Sequence, residues 1–113
     1  MRPVWLCPLR LREVDGDVRT WPGYPLEPGR TYVNVGFWGT VHVGDDAPQG
    51  PTNRAIEAKV HELGGHKSLY SEAFYPRDVF DELYGETTLA EVRRRYDPAG
   101  RLTGLYDKVV HTQ

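Results

Sequence analysis

His61 and His66 stand in the stretch HELGGH, and histidine is a common metal ligand. In the H-E-x-x-H motif of zinc proteases the histidines lie four residues apart, about 40° around one helix, and bind one ion together. Here the spacing is five residues, about 140° around a continuous helix. Gly64 and Gly65 between them are typical of a helix end. The pattern predicts no metal site, but a helix ending at Leu63, a glycine cap and a strand from about His66.

Two other polar side chains, Asn34 and Glu72, stand among aromatic residues in segments that alternate like β-strands. Their neighbours at every second position are Tyr32, Trp38, Tyr70 and Phe74. Aromatic strand faces with a few polar groups commonly line flat ligand sites. The alternative is that both faces look toward solvent, and that His66 and Lys67 at the start of the second segment are simply solvated.

Length and composition favour a single domain of modest size, because 113 residues bury one core but leave much surface exposed. The net charge of −2, with interspersed signs, offers no basic stripe for a nucleic-acid backbone. One cysteine forms no internal disulfide, and no apolar run approaches the ~20 residues of a membrane span. The early run VWLCPL is too short for a signal peptide. We therefore expect a soluble, cytoplasmic protein.

The first half of the chain predicts strands and turns. A strand from Val4 to Leu11 contains Pro8, which is typical of an edge strand or a bulge. Asp15-Gly16-Asp17 is expected to close a hairpin within a turn-rich connection that has no helix. Thr31 to Trp38 is the clearest strand and is expected to continue through residues 40–43. One face of this strand carries Val33, Val35 and Phe37. The other face carries Tyr32, Asn34, Gly36 and Trp38.

The second half predicts helices around one more strand. A helix begins at Thr52 or Asn53 with Ile56, Val60 and Leu63 inward, and a strand from Lys67 to Tyr75 has Glu72 in its middle. Pro76 opens a helix that Gly85 ends, with Val79, Phe80, Leu83 and Tyr84 on its apolar face. The capping box Thr88–Glu91 opens a third helix with Leu89, Val92 and Tyr96 inward, and residues 102–109 add a short helical piece. The expected fold class is α+β: a partial antiparallel sheet of three to four strands, covered on one face by helices, in a ferredoxin-like β-β-α-β order followed by C-terminal helices.

Four segments in one order carry a family resemblance: VWLCPLRL, WPGYPLEPGRTYVNVGFWG, LGGHKSLYSEAFY and RRRYDPAGRLTGLYDK. Together they resemble the C-terminal portion of FAD-linked oxidoreductases of the vanillyl-alcohol oxidase type, nearest the branch of the sterol side-chain (Δ24) reductases. YDPAGRL is similar to the turn that ends the last long helix of many members. Where many of them carry an asparagine near the flavin, this chain has Thr103, so no cofactor contact is assigned to that turn.

The resemblance implies a cap that lies over FAD held by a separate, PCMH-type domain, which this sequence lacks. It implies that Val33, Val35 and Phe37 pack against helices. Tyr32, Trp38 and Tyr70 would then line the substrate site with Asn34 and Glu72 as its catalytic candidates, while His66 and Lys67 lie at its edge. Hydride would pass between substrate and flavin, Asn34 would orient a polar group and Glu72 would move a proton.

Two functions follow, and a third stays open. The chain is either the C-terminal cap segment of an FAD-dependent oxidoreductase, inactive without its FAD-binding partner domain, or a free-standing binding and oligomerisation module derived from such an enzyme. An incomplete sheet exposes a strand edge and apolar surface, so the module would be expected to form a homodimer. An unrelated ferredoxin-like small-molecule binder fits the element order but leaves the YDPAGRL similarity unexplained.

Overall fold

The computed structural model describes residues 3–18, 20 and 24–110. The chain forms two compact units, Met1–His42 and Val43–Gln113. The first unit holds the strands and the second holds the helices.

The first unit is built on a two-stranded antiparallel sheet of β1 (Val4–Arg10) and β4 (Thr31–Phe37). Val4 pairs with Phe37 at one end and Arg10 with Thr31 at the other. Both strands lie where the sequence predicts them. Each has one unpaired edge within this sheet, which is where a proline such as Pro8 is tolerated.

A short hairpin of β2 (Glu13–Val14) and β3 (Asp17–Val18) follows β1. Its turn residues, Asp15 and Gly16, both have positive φ, as a two-residue hairpin turn requires. The predicted hairpin is therefore confirmed. The expected continuation of the long strand is wrong, because residues 40–43 form no strand.

The second unit contains α1 (Pro51–Glu62), α2 (Arg77–Tyr84), α3 (Glu86–Tyr96) and α4 (Leu105–Val109). The predicted end of α1 is confirmed, since Leu63 is its C-cap and Gly64 has φ 66°. The predicted starts of two helices are wrong. α1 begins at Pro51 and α3 at Glu86, each after a left-handed glycine, and neither has a side-chain cap.

Aromatic rings form the core of the second unit. Phe80 is fully buried, with its ring centroid 4.5 Å from that of Tyr84 and 5.2 Å from that of Tyr106. Ala73 and Tyr75 complete the cluster of buried residues. The apolar face predicted for α2 thus lies in the core, because Phe80 and Tyr84 recur at the four-residue spacing that keeps side chains on one side of a helix.

The predicted strand from Lys67 to Tyr75 is wrong, because residues 71–76 contain a bend and irregular backbone and no strand. The predicted alternation does match burial at two positions, since Ala73 and Tyr75, two residues apart, are both buried. Among the residues that the structure describes, no strand pairs with this segment, and two of its N–H groups find other acceptors. The Ala73 N–H donates to the Val109 carbonyl at 3.3 Å, and the Phe74 N–H donates to the carboxylate of Glu57.

Two predicted apolar stripes also need correction. On α1, Ile56 and Val60 are half-buried, but Leu63 is 75% exposed and the buried residue is Glu57. On α3, the expected inward residues Leu89, Val92 and Tyr96 are all exposed. Helical periodicity identifies a common face but does not say what covers it.

The α+β class is confirmed, since the described residues form four strands in small antiparallel sheets and four helices. The β-β-α-β order is wrong, because all four strands precede all four helices in the described chain. Val33, Val35 and Phe37, which the resemblance assigned to packing against helices, are more than half exposed. None of the helices described here is both long and apolar enough to cross a bilayer.

Candidate functional site

The predicted site residues fall into two sets, one in each unit. Tyr32, Asn34 and Trp38 belong to β4 and the residues just after it. His66, Lys67, Tyr70 and Glu72 belong to the irregular segment between α1 and α2.

The first set lies on one side of the β1–β4 sheet, which we call the aromatic sheet face. Opposite residues of an antiparallel pair share a face, and Asn34 lies opposite Cys7. Within the two strands this face consists of Trp5, Cys7, Leu9, Tyr32, Asn34 and Gly36, and the ring of Trp38 lies on the same side, close to Gly36. Asn34 is half-buried in the middle of β4.

Gly36 lies between two tryptophan rings on this face. A Cβ atom at Gly36 would lie 2.9 Å from Cε3 of Trp5 and 3.4 Å from Cη2 of Trp38. Only glycine therefore allows both rings to approach the strand closely. Trp5 and Trp38 remain about half exposed, so aromatic surface is accessible on both sides of Gly36.

Tyr32 connects this face to the preceding loop. Its hydroxyl accepts a hydrogen bond from the Glu27 N–H at 3.0 Å, and the guanidinium of Arg30 lies 5.4 Å from its ring centroid. Arg30 also pairs with the Glu27 carboxylate at 3.2 Å, and both of these side chains are exposed. Tyr32 thus positions the turn before β4, a role that its strand periodicity did not reveal.

In the second unit, Lys67 is part of a buried ion pair. Its Nζ lies 2.9 Å from Oε1 of Glu57, and both side chains are largely buried. Lys67 Nζ also donates to the Glu72 carbonyl. The resemblance placed Lys67 at the edge of a site, but the structure uses its ammonium group inside the protein.

Glu57 receives hydrogen bonds from both ends of the segment that we call the 67–74 loop. Besides the ammonium of Lys67, its two oxygens accept the Phe74 N–H at 3.1 and 3.0 Å. Glu57 is only 4% exposed. A buried carboxylate is tolerated when it is paired and hydrogen-bonded in this way.

His66 lies against the core just before this loop. Its ring centroid is 4.7 Å from that of Tyr84, and the Tyr84 hydroxyl donates to the Lys67 carbonyl at 2.7 Å. Burial lowers the pKa of His66 and raises the pKa of Tyr84, because it disfavours the charged form of each. Both side chains therefore favour their neutral forms in the folded chain.

Tyr70 and Glu72 lie in the middle of the 67–74 loop and face outward. Tyr70 is 88% exposed, and Glu72 is also exposed. Glu72 is not in the middle of a strand, which corrects the prediction. Its backbone carbonyl is held by Lys67, so the loop presents these two side chains from a restrained backbone.

The YDPAGRL turn ends α3 as the sequence predicts. The Asp97 carboxylate accepts the N–H groups of Arg101 and Leu102, each at 2.9 Å. These two hydrogen bonds lower the pKa of Asp97, the Leu102 bond first. The Thr103 carbonyl accepts from Arg93 at 3.2 Å. The polar groups of the turn thus serve to hold its own backbone.

Sequence reasoning missed two residues of these surfaces, Trp5 and Glu57. Trp5 could have been found from the alternation of the first strand once its antiparallel partner was known. Glu57 carries no such signal, because a glutamate on a helix is normally solvated. Among the described residues, no group of three or more histidine, cysteine or acidic side chains is placed to hold a metal ion.

Comparison with known proteins gives one distant relationship. The chain is 25% identical over 108 residues to the Delta(24)-sterol reductase of Rattus norvegicus and to that of Mus musculus. The alignments cover 95% of this chain but 20% of each reductase, so the chain spans about a fifth of the length of these curated relatives. No family model and no solved structure matches the chain. The comparison supports a distant relationship between this chain and one part of Delta(24)-sterol reductase.

Proposed function

We propose that this chain is the C-terminal cap segment of an FAD-dependent oxidoreductase and forms part of the wall on the substrate side of the flavin. The observation that carries this proposal is the alignment of 95% of the chain with one fifth of a sterol reductase. A segment of that size within an oxidoreductase contributes a wall and not a complete site. The relatives act on a sterol by name, so we further propose a flat, mostly apolar substrate.

The aromatic sheet face supports the proposed wall. The rings of Trp5 and Trp38 both lie close to Gly36, and Asn34 is on the same face of β4 as Gly36. Ligand sites commonly combine such aromatic walls with a few polar groups. In this proposal the tryptophan rings exclude water, and the Asn34 amide orients a polar group of the substrate.

The residues of the chain fit one side of a planar ring system and not the whole cofactor. Trp5 and Trp38 fill the space above Gly36 themselves, and the sequence has no glycine-rich phosphate loop of either standard form. In this proposal the pyrophosphate of FAD is held by another domain. When bound there, FAD supplies hydride transfer, and this chain supplies orientation and electrostatics.

Glu72 is the proposed proton-handling group of the second unit. Its side chain is exposed on the 67–74 loop, beside the exposed ring of Tyr70. In this proposal, contact with substrate in the intact enzyme brings the carboxylate within hydrogen-bonding reach of the proton that it transfers.

The test uses the complete flavoenzyme that contains this segment, with Asn34→Ala and Glu72→Gln made singly. We expect Asn34→Ala to raise KM, because it removes an orienting contact, and Glu72→Gln to lower kcat by about 10²-fold or more, as for loss of a general acid or base.

Matched controls are Asn53→Ala and Glu82→Gln, which change the same residue types on α1 and α2. These controls should leave both kinetic constants unchanged. Turnover and substrate affinity that stay at wild-type values in both site variants would overturn the site assignment.

A second function is supported by the other side of the sheet. The apolar sheet face consists of Val4, Leu6, Pro8, Val33, Val35 and Phe37, and all six side chains are exposed. The same side of the sheet also carries Thr31 and the charged Arg10, which lie opposite each other at one end, away from Val35 at the centre of the face. We propose that a free-standing chain dimerises through this face.

The size of the polypeptide in source cells distinguishes the two functions. An antibody against residues 86–106 is used on an immunoblot of cell lysate. A band several times larger than 12.9 kDa supports the cap segment, and a band near 12.9 kDa supports the free-standing module.

A further inference from the structure

The 67–74 loop is tied at both of its ends to one side chain. Lys67 Nζ and the Phe74 N–H both donate to the carboxylate of Glu57, which lies about one and a half turns before the end of α1. Lys67 Nζ also donates to the Glu72 carbonyl, so the loop is closed a second time across its own base. The result is a compact loop of eight residues whose ends are close together, the size and form of an Ω-loop.

The parts of the loop differ sharply in exposure. Its closing elements are buried, with Glu57 at 4% exposure and Ala73 at 1%. Tyr70, near its middle, is 88% exposed. In this exposed position the Tyr70 ring adds no buried apolar surface to the core. Exposed aromatic side chains on loops held by a rigid base are typical of recognition surfaces.

A buried ion pair by itself adds little to the free energy of unfolding. Removing two charges from water costs about as much as their attraction returns, and apolar residues of similar volume often do as well or better. The Glu57–Lys67 pair does what an apolar pair cannot do, because it satisfies a backbone N–H and a backbone carbonyl of the loop. The chemistry of this pair therefore fits a positioning role.

We infer that Glu57 and Lys67 are positioning residues that hold Tyr70 and Glu72 in place for ligand contact. This inference rests on the proposed function, because that function makes the two outer side chains part of a substrate wall. On this inference, Glu57 on α1 contributes to the ligand specificity of the 67–74 loop by holding the loop in place, and does not contact the ligand itself.

The test is hydrogen–deuterium exchange by mass spectrometry on the 113-residue chain. In Glu57→Gln, we expect exchange of the amides of residues 68–73 to rise about tenfold or more, while amides of residues 80–84 in α2 keep nearly their wild-type rates. Lys67→Met should give the same pattern, and Lys67→Arg, which keeps charge and donors, should restore much of the protection.

The matched control is Lys59→Met, which removes an exposed lysine that pairs with Glu62 at 2.8 Å on the same helix. It should leave exchange in residues 68–73 unchanged. If Glu57→Gln prevents folding, the double variant Glu57→Gln with Lys67→Met replaces it, because it leaves no unpaired buried charge.

Unchanged exchange in residues 68–73, or an equal rise in residues 68–73 and 80–84, would overturn the inference, since either result removes the specific hold on the loop. Failure of the proposed function gives a different result. In that case the loop loosens in the variants as expected, but kcat and KM of the complete flavoenzyme carrying the same changes stay at wild-type values.

Discussion

Burial of the single residue His66 makes the stability of the folded chain depend on pH. Burial lowers the pKa of this imidazole, whereas in the unfolded chain it titrates near its ordinary value of about 6.5. Below that value the unfolded chain binds more protons than the folded one. The stability contributed by neutral His66 is therefore fully present above about pH 6.5 and is lost as pH falls through the lower folded pKa.

The first prediction concerns the variant His66→Phe, which keeps a ring against Tyr84 but does not titrate. We expect the wild type to lose more stability than this variant between pH 7 and pH 5, as measured by urea midpoints. His61→Phe, at an exposed position on α1, is the control and should follow the wild type. Parallel curves for wild type and His66→Phe would contradict the assignment.

At the scale of elements, the start of α1 is joined to the 67–74 loop through Phe74. Gly50 is the N-cap of α1 and has φ 59°. The Phe74 ring lies directly against its α-carbon, and the guanidinium of Arg54 lies 4.5 Å from the ring centroid. A glycine is needed here both for the left-handed backbone and for the close approach of the ring.

The second prediction is that Gly50→Ala destabilises the chain by about 2 kcal/mol, from positive-φ strain and from the clash of Cβ with Phe74. The measurement is chemical denaturation followed by circular dichroism. Gly44→Ala is the matched control, because a Cβ there meets no atom within 4 Å. If Gly44→Ala and Gly50→Ala have equal effects, the proposed contact between helix start and loop is wrong.

At the scale of the whole molecule, the free-standing chain must cover the apolar sheet face. A two-stranded sheet is marginal in water unless its apolar side is packed against something. In a complete flavoenzyme the rest of the polypeptide would cover this face. In a free-standing chain a second copy of the same chain would cover it. The oligomeric state therefore tests the second proposed function.

The third prediction is that the 113-residue chain has twice its 12.9 kDa monomer mass in light scattering at high concentration. Val35→Glu, in the centre of the face, should give a monomer, because stacking would bury two like charges. Val41→Glu, at an exposed residue outside the strands, should remain a dimer. A compact wild-type monomer would rule out the dimer.

The sequence by itself determined the elements that depend on local chemistry. Periodicity located β4, turn residues that tolerate positive φ located the hairpin, and glycines located the ends of α1 and α2. These features could be predicted because hydrogen bonds and allowed dihedral angles near in sequence decide them. The alternation of β4 likewise placed Tyr32 and Asn34 on one side of the strand, and the register of the sheet agrees.

Only the tertiary structure decided what those elements pack against. Residues 67–75 alternate like a strand, yet a strand requires a partner, and here Glu57 and Val109 satisfy the backbone instead. The apolar stripe of α3 and the apolar sheet face are regular in sequence but exposed in the fold. Burial and long-range hydrogen bonds depend on residues distant in sequence, which is why Glu57 became visible only in three dimensions.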